Sequence, residues 1–283
     1  MNQPRVTRTS TYHNWFPSAL LKYQILPNLE FQAGVNKGIS RPPIDSLTGI
    51  WNINENTRIV SAPNPNLQPE YHQVFQSRLG YYFGGASPGQ LSIGLSQDEA
   101  RNFIQSNDYT ASQFGVSDPD FATYIFRSTT NSLEFQKFRN MDLAYNQMLG
   151  FLPNEYLRGI NVALTYSRSY ANVRRVMLAP KRATARLGYA YKRFNGSLSA
   201  VWIADRPSES TYGRIWGAMT KFDLTLNYRL TRYASLFVQA RNITNQKDLY
   251  YESPLGVQEG KQRYLRVMEE YGDNWVFGVK GQF

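Results

Sequence analysis

Residues 221–230, KFDLTLNYRL, place Phe222, Leu224, Leu226, Tyr228 and Leu230 on one side and Lys221, Asp223, Thr225, Asn227 and Arg229 on the other. Successive side chains of a strand point to opposite faces, so strict alternation predicts a strand with one apolar and one polar face. The pattern recurs along the whole chain. It is clear at 160–167, 183–192 and 233–242, and weaker at about 16–25, 29–37, 72–83, 90–96, 135–147 and 197–204. The last ten residues, NWVFGVKGQF (274–283), repeat it with Trp275, Phe277, Val279, Gly281 and Phe283 against Asn274, Val276, Gly278, Lys280 and Gln282. The reading is about eleven strands of roughly ten residues each.

The connections alternate in length. Short ones are read at Leu26–Asn28, Gly84–Gly89, Gly150–Glu155, Asn195–Gly196 and Thr231–Arg232, where Gly, Pro and Asn supply tight-turn geometry. Long ones are read at about 38–71, 97–132, 168–182, 205–219 and 243–270. Short–long alternation describes an antiparallel up-and-down meander with one plain end and one elaborated end. A sandwich would turn the apolar faces inward onto each other, with strands of about 5–6 residues. A transmembrane barrel turns them outward onto lipid, and strands of about ten residues span a hydrocarbon core when tilted. The charges on the polar faces (Lys221, Asp223, Arg229, Arg241, Lys280) suit a wet lumen. The predicted fold is therefore all-β, an antiparallel up-and-down transmembrane β-barrel.

Composition removes other classes. With no cysteine there is neither a disulfide nor a thiolate metal site, and His13 and His72 have no partner at ligand spacing. The net charge of +10 is scattered, with no basic run longer than two residues, so no nucleic-acid partner is expected. No apolar run approaches the roughly 18–20 residues of a membrane helix. A catalytic centre needs a nucleophile set with a base, and neither histidine has one, so no enzyme is expected. No cofactor is expected either. Asn242–Ile243–Thr244 matches a glycosylation sequon by chance.

In such barrels short turns face the periplasm and long loops the exterior. An odd strand count, a first strand running inward from outside, and no signal peptide in MNQPRVTRTSTYHNW predict a partial barrel over 1–283. An open sheet edge in lipid leaves backbone groups unpaired at several kcal/mol each. The missing strands are therefore expected on a longer protein, of which this would be the C-terminal half.

Five stretches carry a resemblance: NKGISRP (36–42), NPNLQPEYHQVFQSRLGYYF (64–83), YLRGINVALTYSR (156–168), ARNITNQK (240–247) and the terminal GVKGQF. In order and spacing they resemble the C-terminal half of TonB-dependent outer-membrane receptors. The resemblance implies a larger plugged barrel of about 22 strands, with the plug domain and the TonB-contacting segment absent here. It implies energy-coupled import of a scarce nutrient (siderophore, cobalamin or oligosaccharide class) across the outer membrane of a Gram-negative type bacterium. The implied partners are outer-membrane lipids and lipopolysaccharide, the barrel-assembly machinery, TonB through the missing N-terminal part, and a small nutrient ligand. A passive porin-like channel, an autotransporter translocator and an outer-membrane hydrolase are the rival functions.

The resemblance makes Trp275, Phe277, Val279 and Phe283 a barrel-assembly signal. Their other reading is a plain lipid-facing strand. Ligand contacts are expected in the outer loops, with Arg41, Trp51, Arg58, Tyr250, Tyr251 and Arg263 as candidates against a purely solvated or lipopolysaccharide-binding loop. The lumen charges Lys221, Asp223, Arg229 and Arg241 either hold a plug or pair across strands.

Overall fold

A computed structural model describes residues 13–48, 50–85, 87–208, 213–253 and 263–281. The first hairpin is β1 (Ser18–Leu26) and β2 (Leu29–Ser40) around Pro27 and Asn28. A long excursion follows, with the short helix α1 (Ile44–Leu47) and strands β3 (Asn52–Asn54) and β4 (Ile59–Ala62). The second hairpin is β5 (Glu70–Phe83) and β6 (Gly89–Arg101). The next excursion holds β7 (Ile104–Thr110), the one-turn helix α2 (Ala111–Phe114), a 3-10 turn (Pro119–Phe121) and β8 (Ile125–Asn131). Strands β9 (Gln136–Met148), β10 (Ile160–Ala171), β11 (Lys181–Tyr191) and β12 (Phe194–Ile203) then run back and forth. Two short strands, β13 (Arg206–Pro207) and β14 (Arg214–Trp216), precede β15 (Met219–Arg229) and β16 (Ala234–Arg241). The last excursion carries β17 (Asp248–Glu252) and β18 (Tyr264–Glu269), and β19 (Asn274–Gly281) ends the series.

Eleven of these strands form one sheet in the order β1-β2-β5-β6-β9-β10-β11-β12-β15-β16-β19. Each long strand thus pairs with the next long strand in the chain, the up-and-down order that the alternation predicted. The remaining eight strands belong to two four-stranded sheets inside the long connections, β3-β4-β8-β7 and β13-β14-β17-β18. Those connections were read as plain loops.

The register sorts the side chains into rows. One row runs Trp275, Ala240, Leu224, Leu198, Leu187, Val162 across six strands. The row one residue away runs Val276, Gln239, Thr225, Ser197, Gly188, Asn161. The polar side is laced by short side-chain bonds: Thr165 and Thr184 hydroxyls at 2.6 Å, and Ser167 donating to Asp142 at 2.6 Å. The apolar side is uncovered. Leu187, Leu198, Leu236, Phe277 and Val279 are 38–69% exposed. A sandwich buries such a row under a second sheet. A contiguous uncovered apolar face on long strands is what a hydrocarbon solvent requires.

Some turn positions differ from the sequence reading. Asn195–Gly196 lies inside β12, where Asn195 pairs with Ala190 and Gly196 with Tyr189. The chain instead reverses at Lys192–Arg193, with Lys192 at φ 50°. Gly196 is there for closeness: a Cβ on it would meet Leu226 Cδ2 at 2.9 Å. The connection read at Gly150–Glu155 occupies 149–159, closed by Arg158 donating to the Leu152 carbonyl at 2.9 Å. Phe237, an aromatic on the polar face, stands opposite Gly278, where a Cβ would meet its ring at 2.6 Å. The glycine makes room for the ring.

Candidate functional site

The chain divides into two compact units, and the loop structures fall one in each. The first contains residues 34–74 and 100–135. Its small sheet joins β3 to β4 and β7 to β8 antiparallel, and β4 to β8 in parallel. Phe126 and Val60 are fully buried at its centre. Phe114 stacks on Phe126 at 4.9 Å between centroids, and Trp51 meets the same ring edge-on at 5.2 Å. Trp51 also packs edge-on against Phe114 and Phe121, at 6.3 and 6.1 Å. Such geometry aligns ring edges with the negative faces of their neighbours. Trp51 therefore packs this core with one side and remains 41% exposed on the other.

Local signals order the same unit. Thr110 and Gln113 form a capping box on α2, and Gly115 at φ 86° ends it in the left-handed region. Asn131 clips the 102–135 excursion to the 41–69 one. Its Nδ2 donates to the Gln68 carbonyl and its Oδ1 accepts the Gln68 N–H, both at 2.8 Å. Arg127 and Asp108, opposite each other in register, form a two-point pair at 2.7 and 2.9 Å, and Arg127's donation holds the Asp108 carboxyl below its usual range. Arg58 occupies a left-handed turn position (φ 53°), with its carbonyl accepting the Ile125 N–H at 2.9 Å. Arg41 is exposed just beyond β2.

The second unit holds the sheet β13-β14-β17-β18. Tyr250 lies opposite Trp216 in register, their rings edge-on at 5.2 Å. Arg263 places its guanidinium 4.3 Å over the Tyr251 ring and donates to Asp205 at 2.7 Å. Gly217 leaves room for that ring, since a Cβ there would meet Tyr251 Cε2 at 2.7 Å. Glu252 accepts from Arg214 at 3.2 Å and from Arg266. Lys221, from the polar face of β15, reaches Asp248 at 2.9 Å, and Asp223 accepts the Asn242 N–H at 2.9 Å. These polar-face charges thus tie β15 to the last excursion, between β16 and β19. Asn242 (φ 51°), in the ARNITNQK stretch, donates to the carbonyls of Gln246 and Gly272, both at 3.1 Å. One side chain staples both ends of the last excursion. A cleft of about 420 Å³ adjoins this sheet, lined by Tyr170, Arg174, Arg175, Leu178, Arg206 and Ile215 among others.

The candidates therefore separate. Tyr250, Tyr251 and Arg263 come together on one loop sheet, while Arg41, Trp51 and Arg58 belong to the other unit. Sequence reasoning missed Asp205, Trp216, Glu252, Arg266 and the arginine-lined cleft. Their partners are up to 58 residues away in sequence, as for Arg263 and Asp205, and no local pattern signals such a pair. Among the described residues no cluster of His, Asp or Glu is placed to hold a metal ion. On β19, Trp275, Phe277 and Val279 share the uncovered face, with Trp275 stacked on Phe277 at 6.1 Å and its Nε1–H donating to Asp273 at 2.7 Å. Phe283 lies outside the described residues.

The Glu252 clamp makes the loop sheet sensitive to acid. Arg266, and then Arg214, hold the carboxyl below its ordinary value of 4.5. A depressed folded-state pKa stabilises above the unfolded value, and the benefit is lost as pH falls through the folded value. Hydrogen exchange at β14 and β17 amides, corrected for intrinsic rates, is therefore expected to accelerate below about pH 4.5. Glu252→Gln should abolish that step. An unchanged acid step in Glu252→Gln would assign it elsewhere.

Long two-faced antiparallel strands, an uncovered apolar face and structured excursions on alternate connections define an outer-membrane type of β-barrel wall. A family model described as TonB dependent receptor-like, beta-barrel matches residues 2–243. The chain belongs to the β-barrel region of the TonB-dependent receptor family, an outer-membrane family of nutrient receptors and transporters that are not enzymes. Among solved structures, the chain is similar to a ferric enterobactin receptor variant from Pseudomonas aeruginosa bound to enterobactin (12% identity, TM-score 0.66, 95% of this chain and 41% of that one). It is also similar to a hemophore receptor variant from Serratia marcescens with its hemophore and heme (16%, 0.64, 95% and 39%). A third is the FrpB iron transporter from Neisseria meningitidis (15%, 0.57, 95% and 38%). At these identities the likeness is one of fold. The chain spans about two fifths of each of these proteins. No curated protein matches it significantly.

Proposed function

We propose that this chain supplies part of the wall and several outer loops of an energy-coupled importer in the outer membrane of a Gram-negative type bacterium. The observation that carries the reading is the eleven-stranded sheet of a TonB-dependent receptor barrel with folded structure on its long connections. A passive pore needs no such elaboration. In this reading the eleven strands are one portion of a 22-stranded barrel, the long-loop end faces outside, and the short-turn end faces the periplasm. Tyr250, Tyr251 and Arg263 on one loop sheet, and Arg41, Trp51 and Arg58 on the other unit, are its candidate contacts for a small nutrient. Outer-membrane lipid and lipopolysaccharide cover the apolar face. TonB engages the protein through a segment outside these residues.

The test is uptake in cells carrying the full-length gene against a deletion strain, with ferric siderophores, cobalamin and oligosaccharides supplied in turn at limiting concentration. Uptake of one class is expected to require the gene, to require TonB, and to stop when the proton gradient is collapsed. Gene-dependent uptake that persists without TonB and with an uncoupler would replace the importer by a passive channel.

Trp275, Phe277, Val279 and Phe283 are, in the same reading, the signal recognised by the barrel-assembly machinery. Deleting Phe283 from the full-length protein should lower the heat-modifiable, assembled species in outer-membrane fractions. Unchanged assembly would leave these residues as ordinary lipid-facing side chains.

A further inference from the structure

We infer that the connection between β9 and β10 is a membrane-interface anchor, which lays Phe151 and Tyr156 into the headgroup–acyl boundary of the phospholipid leaflet at the short-turn end. It occupies 149–159, where the other short connections take only 27–28, 84–88, 192–193 and 230–233. Reversing the chain does not call for that length, since a two-residue turn joins antiparallel strands. The added length carries large side chains that the protein leaves uncovered. Phe151, Tyr156 and Leu157 are 61%, 55% and 43% exposed.

The connection folds toward the uncovered side of the sheet. Gln147 is opposite Val162 and Tyr145 opposite Leu164, so both belong to the uncovered face of β9. Phe83 meets the Tyr145 ring edge-on at 6.3 Å, and Tyr81 meets Phe83 at 5.2 Å. Phe151 lines a cleft of about 570 Å³ together with Tyr81, Phe83 and Gln147. Further along, Tyr156 lies against Tyr191, their ring centroids 5.1 Å apart. Tyr191 is four residues from Leu187 on β11 and shares its face. Lys192 places its amine 4.9 Å over the Tyr191 ring.

The backbone of the connection suits a poorly hydrated layer. Leu152 N–H donates to the Leu149 carbonyl at 3.1 Å and Leu157 N–H to the Asn154 carbonyl at 3.0 Å. Asn154 Oδ1 accepts the Tyr156 N–H at 2.9 Å, and Arg158 donates to the Leu152 and Pro153 carbonyls. Backbone groups bonded internally do not need water, which is the condition for leaving it. A tyrosine ring with a polar tip prefers the membrane boundary, and a lysine beside it extends its amine toward headgroup phosphates. The occupant is lipid because Phe151 and Tyr156 continue, on the same side, the face that hydrocarbon covers. The inference rests on that assignment of the faces and not on transport.

The test is the depth of a nitroxide label in the full-length protein, reconstituted in phospholipid vesicles. These residues contain no cysteine, so Phe151→Cys and Leu157→Cys each give one site once any cysteine elsewhere is replaced by serine. Leu198→Cys on the uncovered face serves as the hydrocarbon reference, and Leu133→Cys, at a fully exposed position, as the water reference. Each variant is checked for heat-modifiability first. Dissolved oxygen concentrates in lipid and a water-soluble nickel chelate stays outside it. At 151 and 157 the ratio of oxygen to nickel collision rates is expected to exceed that at 133 several-fold and to approach that at 198. A ratio at 151 and 157 equal to that at 133 would put the connection in water and overturn the anchor. Shielding of both positions from both reagents would mean that protein covers them, and would overturn it too. If position 198 itself were reached by nickel, the assignment of the faces would fall, and the anchor with it.

Discussion

Arginine at position 224 is expected to destabilise the full-length protein by about 2–4 kcal/mol in lipid vesicles, because a cation on the lipid-facing side near the bilayer midplane loses its hydration. Leu224 lies in the row with Ala240, Leu198 and Leu187, of which Leu198 and Leu187 are 38% and 49% exposed. Thr225, the next residue, faces Gln239 and Ser197 on the polar side. Arginine there remains in a wet, hydrogen-bonding environment, and its cost should stay below about 1 kcal/mol. The two substitutions add the same side chain one residue apart, so propensity and bulk largely cancel. Urea unfolding in vesicles gives the two values. Equal losses, or a larger loss at 225, would put the lipid on the other face and undo the barrel assignment. Leu198→Arg, on the neighbouring strand in the same row, should follow Leu224→Arg.

That pair of rows was legible in the sequence because a strand's period is two and each face has a single solvent. KFDLTLNYRL states both faces in ten letters. The strand number was legible for the same reason, since eleven alternating runs became eleven neighbours in one sheet. Turn positions were less so. Asn195–Gly196 has the composition of a hairpin turn, yet the reversal falls at Lys192–Arg193, and Gly196 answers to the approach of Leu226. Glycine has two uses, and composition does not separate them. The loop sheets were illegible. β13 has two residues and β14 three, too short to show any period. The Arg263–Asp205 and Arg214–Glu252 pairs join residues 58 and 38 positions apart. Candidate ligand residues suffer from the same limit. Tyr250, Tyr251 and Arg263 were chosen as aromatic and basic residues in a long loop, and folding did gather those three. Trp51 was chosen on the same grounds and packs an aromatic core.

The loop unit containing Trp51 should depend on that core far more than on its surface charges. Phe126 is fully buried and contacts Trp51, Phe114 and Phe121 at centroid separations of 5.2, 4.9 and 5.9 Å. Removing such a ring costs about 3–5 kcal/mol, through lost transfer energy and the cavity left behind. Since about 1.4 kcal/mol is a factor of ten, Phe126→Ala should cut hydrogen-exchange protection across β4, β7 and β8 by at least about a hundredfold, or remove it where less was present. Asp108→Ala deletes the best-formed ion pair of the same sheet. Both its partners are about half exposed, at 48% and 46%, so solvent screens the pair and the loss should be under about 1 kcal/mol. Both substitutions should leave protection of the long strands β10, β11 and β12 unchanged, because those amides bond within the large sheet. If Asp108→Ala loosened the loop unit as much as Phe126→Ala, charge pairing rather than ring packing would be what holds it folded. Loss of protection in β10 to β12 would mean that the loop core supports the wall as well as itself.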